Sequence, residues 1–168
     1  MEFALPKDAF RGSHCGVQAV AVVAGISLTE AFGKFRKHCK RVASKKRWHG
    51  GTKHEEREAV LDKLNVKYDL LLQNGWQIGI GMTLQRFIKD VANPNHVYMV
   101  TTTGHVQLIH GNNVLDQGGV VDIQDYWGKR KKISHTALVF KQIDAAKAFD
   151  IAEAQTFGLP LFDMQGGK

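Results

Sequence analysis

The sequence predicts an α+β domain: a helical N-terminal half packed on a C-terminal antiparallel sheet. Up to Leu64, apolar residues recur at helical spacing behind recognisable helix-start signals. From residue 96 onward they form short β-branched runs separated by Gly and Asn turns. Helical and strand segments are therefore segregated along the chain, which favours antiparallel pairing over a parallel βαβ arrangement. A chain of 168 residues is enough for one such domain with a core of its own, and too short for two.

The first helix is expected over Cys15–Ala24. It is apolar nearly all round and so buried, with Gly25 as its stop. Ser27 with Glu30 makes a capping box for a second helix, which carries Phe32 and Phe35 on one side and should fade near Arg41 or Val42. Thr52 with Glu55 makes another, for a helix whose apolar face is Val60, Leu61 and Leu64. Thr83 caps a fourth over 84–92. Strands are expected over 66–72, 96–102, His105–His110 and 134–143, with Gly104 and Gly111-Asn112-Asn113 as turns. The glycine-bearing segment 73–81 has no Lys-Ser or Lys-Thr after it; it is read as a mobile connection near the cleft, not a phosphate loop. Residues 1–143 are expected to form the domain, and 144–168 a C-terminal helix and loosely ordered tail.

Composition narrows the function classes. No apolar stretch approaches the roughly 20 residues of a membrane span. The N-terminus lacks a basic segment leading into an apolar one, so no secretory signal is expected. The two cysteines, Cys15 and Cys39, form no CxxC pair and suit a reducing, cytoplasmic setting. His38, Cys39, His49 and His54 lack metal-site spacing, and neither a metal nor a cofactor is expected.

The formal charge of +7 is concentrated in two places. Ten basic residues fall within 34–57, from Lys34 to Arg57, and Lys129, Arg130, Lys131 and Lys132 form a second cluster. Such blocks bind phosphate backbones, acidic membrane surfaces or acidic proteins, or serve as solvated faces. Lys45, Lys46 and Arg47 beside Trp48 are the candidate nucleic-acid or substrate surface, with Trp48 able to stack on a base. Trp76 and Trp127 are read as core or groove walls.

Cys15 opens the first helix. A thiol there lies near unpaired backbone N–H groups and the positive end of the helix dipole, both of which favour thiolate. The same amides can hold an oxyanion, and Gly16 leaves room for a carbonyl to approach. A nucleophile needs a base and the base an orienting group. His105 opens a strand after Gly104, and the return strand Val114-Leu115-Asp116 supplies a carboxylate. In a two-residue hairpin loop, whether Gly111-Asn112 or Asn112-Asn113, Asp116 falls on the face of His105 and Gln107; an unbulged three-residue loop would turn it away.

The segment SHCGVQAVAVVAGIS resembles the nucleophile helix of papain-like cysteine peptidases, most closely the bacteriocin-processing peptidase domains of ABC transporters. GHVQLIHGNNVLDQGG resembles their second motif, a Gly-His opening a strand with an Asp beyond the next turn. Small proteins of tailed phages look similar too, including the opening ALPKDAFRGSHCG. The resemblance implies a papain-like fold with the Cys helix packed on the sheet that bears His105. It implies a Cys15-His105-Asp116 triad, a thioester intermediate and a cytosolic protein or peptide substrate in a bacterial or phage-infected cell, with virion association as an alternative. There is one departure: the family's oxyanion Gln, six residues before the Cys, is replaced by Ala9. The Cys15 N–H, helped by Ser13 or His14, would have to serve instead. A transglutaminase-like acyltransferase, and an inactive papain-fold protein binding nucleic acid or a partner, remain as alternatives.

Overall fold

Four helices and eight strands are found in the computed structural model, which describes residues 2–39 and 51–140. The helices are α1 (Cys15–Ala24), α2 (Leu28–His38), α3 (His54–Lys63) and α4 (Leu84–Asp90). The strands are β1 (Asp69–Leu70), β2 (Leu72–Gln73), β3 (Trp76–Gln77), β4 (Val97–Thr102), β5 (His105–His110), β6 (Asn113–Asp116), β7 (Gly119–Asp122) and β8 (Leu138–Phe140). Six strands form one antiparallel sheet in the order β1-β8-β4-β5-β6-β7, and β2 pairs with β3 alone. The fold is thus α+β with an antiparallel sheet, as its segregated pattern predicts. No single helix among the described residues is long and apolar enough to cross a membrane.

The central strands are buried on both faces, so the sheet is covered twice. On one face α1, α2 and α3 pack Val17, Val20, Phe35 and Leu61 against Met99, Val106, Leu108 and Leu115. On the other, α4 and the chain from Ile123 to Ile133 pack Leu84, Phe87, Tyr126 and Ile133 against Tyr98, Val100, Ile109 and Val114. Alternation assigns the polar residues too. Val106 and Leu108 face the first core, so His105 and Gln107 face the second.

Local chemistry explains most element ends. Gly25 terminates α1 in the left-handed region, at φ 65°, and donates to the carbonyls of Ala21 and Val22. The Ser27 hydroxyl accepts from Glu30 N, and the Asp8 carboxylate takes Leu28 N and Thr29 N, so α2 starts with three amides satisfied. It ends at His38, short of the expected Arg41, with Cys39 outside helical geometry and its thiol against the Glu56 carbonyl of α3. The α3 cap lies one residue later than the Thr52–Glu55 expectation. Glu56 accepts from Lys53 N at 2.7 Å, because the Thr52 hydroxyl is taken by Arg57. Thr83 caps α4 through Arg86 N, but the helix stops at Asp90 rather than residue 92.

The expected strand over 66–72 divides instead: β1 joins β8 and β2 turns back on β3. The segment read as a mobile connection near the cleft therefore holds a tight hairpin. Asn74 and Gly75, at φ 51° and 79°, form its two-residue loop, the Asn-Gly signal of such turns. Gly79 lies against the Phe87 ring of α4. Only Leu138–Phe140 of the expected strand 134–143 forms β8; residues 141–143, and the C-terminal helix and tail expected over 144–168, lie outside the described residues. The strand β7 was not expected; it is a short edge strand whose partly buried residues alternate with exposed ones.

Candidate active site

Cys15 is the first helical residue of α1, because His14 sits at φ −138°, ψ 31°, outside helical geometry. Gln18 N is the amide that bonds back to the His14 carbonyl, at 3.0 Å. The amides of Cys15, Gly16 and Val17 precede the helical hydrogen-bond ladder. Those of Gly16 and of Val106 on β5 reach the Cys15 sulfur. Burial pushes the thiol pKa up; the hydrogen bond from His105, the Val106 amide, the charge of His105 and the Gly16 amide outweigh it, and the net shift is downward.

The β5–β6 turn settles the position of Asp116. His110 pairs with Asn113 and Leu108 with Leu115, so the loop is Gly111-Asn112. Continuing that register sets Asp116 opposite Gln107 and diagonal to His105, on one face. The His105 Nε2 lies 3.1 Å from Asp116 Oδ2, both side chains being nearly buried. That contact commits Nε2 to the carboxylate and leaves Nδ1 as the nitrogen for the thiol.

Asp116 is itself firmly held. The Tyr126 hydroxyl donates to its Oδ2 at 3.0 Å, the Trp127 indole N–H at 3.4 Å, and Gly118 N donates to its Oδ1 at 2.7 Å. Burial acts to raise the carboxyl pKa, but His105, the Gly118 amide and Tyr126 bring it down to about 2. Burial likewise opposes charge on His105, yet its bonds to Asp116 and Cys15 raise its pKa to about 9. Tyr126 is pushed upward by burial and by the adjacent Asp116 charge, so it stays a donor. The thiol is lowered and the imidazole raised, so each partner favours the charged form of the other.

The Cys15 thiol belongs to the helical face and the His105–Asp116 pair to the other, so the site straddles the end of the sheet. A cavity of about 360 Å³ opens on the His105–Asp116 side, lined by Arg11, Gly12, His105, Gln117, Tyr126 and Trp127 among others but not by Cys15. Trp127 is 63% exposed, 5.5 Å from the His105 ring, with Lys131 Nζ 4.2 Å over its own ring. The Gln117 amide donates to the Gly12 carbonyl, tying the β6–β7 turn to the loop before Cys15.

The other expected site residues are placed differently. Ser13 is exposed. The His14 ring is buried between Phe10 and Phe32, its pKa lowered by that burial, with its Nε2 unbonded. Its side chain is thus part of the packing beneath α1. Gln18 is also buried and donates to the Asp116 carbonyl, joining α1 to β6. Lys45, Lys46, Arg47 and Trp48 lie outside the described residues. Arg57 does not belong to any basic surface, because it is 1% exposed. Trp127 is a groove wall, but Trp76 is neither core nor groove; it stands 78% exposed on the β2–β3 hairpin. Among the described residues, no three His, Cys, Asp or Glu side chains converge as metal ligands.

Gln117 and Tyr126 are not singled out from sequence as site residues, and Trp127 is marked only as a core or groove wall. Gln117 had a usable signal, since it directly follows Asp116. Tyr126 and Trp127 come from an irregular segment whose path only the tertiary fold sets.

No family model, curated protein or solved structure matches this chain.

Proposed function

We propose that the protein is a papain-like thiol hydrolase that cleaves a peptide, isopeptide or ester bond in a protein or peptide. The Cys15-His105-Asp116 constellation carries this reading: a thiol at a helix start, a base on the neighbouring strand, and a buried carboxylate behind the base. The Cys15 thiolate attacks the carbonyl carbon, and the electron pair of the C=O bond moves to oxygen. The amides at the start of α1 are the donors in place to meet that oxyanion; Ala9 offers no side-chain donor, so slower turnover than in the resembled peptidases follows, by about 10²–10³. The tetrahedral adduct collapses, the C–N or C–O bond breaks, and the His105 imidazolium protonates the leaving group. Water, deprotonated by neutral His105, then attacks the thioester and releases the acid, and the proton returns the pair to its resting state.

Labelling with an electrophilic peptide probe at neutral pH tests this reading. Cys15→Ala should abolish labelling and turnover, and Cys39→Ala should leave both intact. Equal labelling of Cys39 and Cys15 in the unaltered protein would overturn it. Release of acid in the absence of an added amine separates hydrolysis from acyl transfer.

A further inference from the structure

Arg57 is among the largest fully buried side chains of the described residues. Its guanidinium Nη1 donates to the Thr52 carbonyl at 2.8 Å and hydroxyl at 3.1 Å, and Nη2 to the Thr101 hydroxyl at 2.8 Å. Nη2 also lies 3.3 Å from His54 Nδ1, and Nε has no partner. None of these acceptors is a carboxylate. Burying a guanidinium among neutral oxygens is costly, and a cation in such a place normally has an anion nearby.

Among the guanidinium's hydrogen-bond partners there is no glutamate of α3. Glu58 lies 2.8 Å from His54 Nε2, Glu56 accepts from Lys53 N, and Glu55 is exposed. His54 stacks on His135 at 5.5 Å. The thiol of the proposed nucleophile lies at the start of α1. A Cβ on Gly16 would overlap the Thr52 hydroxyl and come within 3.2 Å of Arg57 Cδ, so the Arg57 stem runs directly beneath the residue that follows Cys15. Burial lowers the Arg57 pKa, and the negative charges of Cys15, Glu58, Glu55 and Glu56 act against that shift.

We propose that Arg57 is a positioning residue for the nucleophile: clamped by Thr52 and Thr101, with its stem beneath Gly16, it sets a fixed positive charge near the start of α1 that stabilises the thiolate. This inference rests on Cys15 being the thiolate nucleophile. The groups that face Cys15 are then His105 from β5, with Asp116 and Tyr126 behind it, and Arg57 from α3, with His54, Glu55, Glu56, Glu58 and His135 around it. Unlike His105, Arg57 keeps its charge throughout the working pH range. It stabilises the thiolate before attack and again as the sulfur is expelled when the thioester is hydrolysed.

The thiolate titration is the test, read as ultraviolet thiolate absorbance and iodoacetamide alkylation rate against pH in a Cys39→Ala background. Arg57→Met should move the Cys15 titration up by about one pH unit, an approximately tenfold loss of alkylation rate on the acid side of the titration. Arg57→Lys, which keeps the charge, should recover most of it. A folded Arg57→Met protein with the unaltered titration overturns the proposal. Should Arg57→Met not fold, Thr101→Val releases Nη2 alone and should give a shift of the same sign, about threefold in rate; no shift there overturns it equally. His105→Ala separates the two readings. If it raises the titration while Arg57→Met does not, the hydrolase reading stands and this one falls; if neither does, both fall.

Discussion

The two faces of the sheet are built differently. The first is covered by three helices whose largely apolar interface also encloses Arg57, His14 and Gln18, and it presents Cys15. The second is covered by one short helix and a run of turns, and it presents His105 and Asp116, with Tyr126 and Trp127 bonded to the carboxylate. The helical face fixes a backbone: the start of α1 and its unpaired amides. The irregular face fixes a hydrogen-bond network, because turns can aim side chains and amides where a regular element repeats. On the proposed reading the nucleophile needs the first kind of support and the base the second, and the end of the sheet is where the two meet.

The largest break in this division is to delete the base. His105→Ala should lower turnover about 10³-fold and return the Cys15 titration toward that of an ordinary thiol, while α1 and its core stay intact by hydrogen exchange. Retained turnover would remove the second face from the chemistry. One residue inserted between Gly111 and Asn112 should act almost as strongly. It turns Asp116 to the helical face without deleting any side chain, and a crystal structure of the inactive variant would show which face the carboxylate occupies.

A gentler change sharpens the comparison. Tyr126→Phe removes one donor from Asp116 and should cost about 1.5–3 kcal/mol of stability by denaturant titration. The folded-state pKa of Asp116 is depressed to about 2, so its contribution is present above the ordinary value of 3.8 and is lost as pH falls toward 2. With one donor gone the depression is smaller, and acid unfolding should begin at higher pH. A variant that loses stability equally at every pH would place the Tyr126 effect in packing alone.

The smallest effect is at the alkaline end. His105 is raised from 6.5 to about 9, so its stabilising contribution is complete below 6.5 and fades as pH rises through 9. The difference in melting temperature between the unaltered protein and His105→Gln should be largest at mildly acidic pH and shrink on the alkaline side. The rate should fall through the same alkaline range, because the imidazolium that protonates the leaving group is lost.

How much of this could be read from the chain follows from how local each signal is. The bounds of α1 and the placement of His105 on β5 depend on neighbours within one turn or one hairpin. Asp116 was legible only up to the choice of turn, because parity over one strand pair fixes its face once the loop length is known. Arg57 misleads for the opposite reason. It ends a run of basic residues and looks like surface, yet Thr101, forty-four positions away, accepts one of its hydrogen bonds. His14 misleads similarly: next to Cys15 in sequence, it is drawn into packing by Phe10 and Phe32. The segment 66–72 reads as one strand by composition, but the Asn74-Gly75 turn divides its pairing between two sheets.

The contact of Gly16 with Thr52 and Arg57 also governs the order in which this protein can change. Any side chain at position 16 collides first with the Thr52 hydroxyl. A substitution there becomes tolerable only after Thr52 has been made smaller, and shrinking Thr52 takes an acceptor from Arg57. Positions 16, 52 and 57 therefore form one epistatic lock. In a mutational library built for faster or broader turnover, single substitutions at these three positions should be depleted together, and improved variants should arise first along the opposite wall, at Arg11, Gln117 and Trp127.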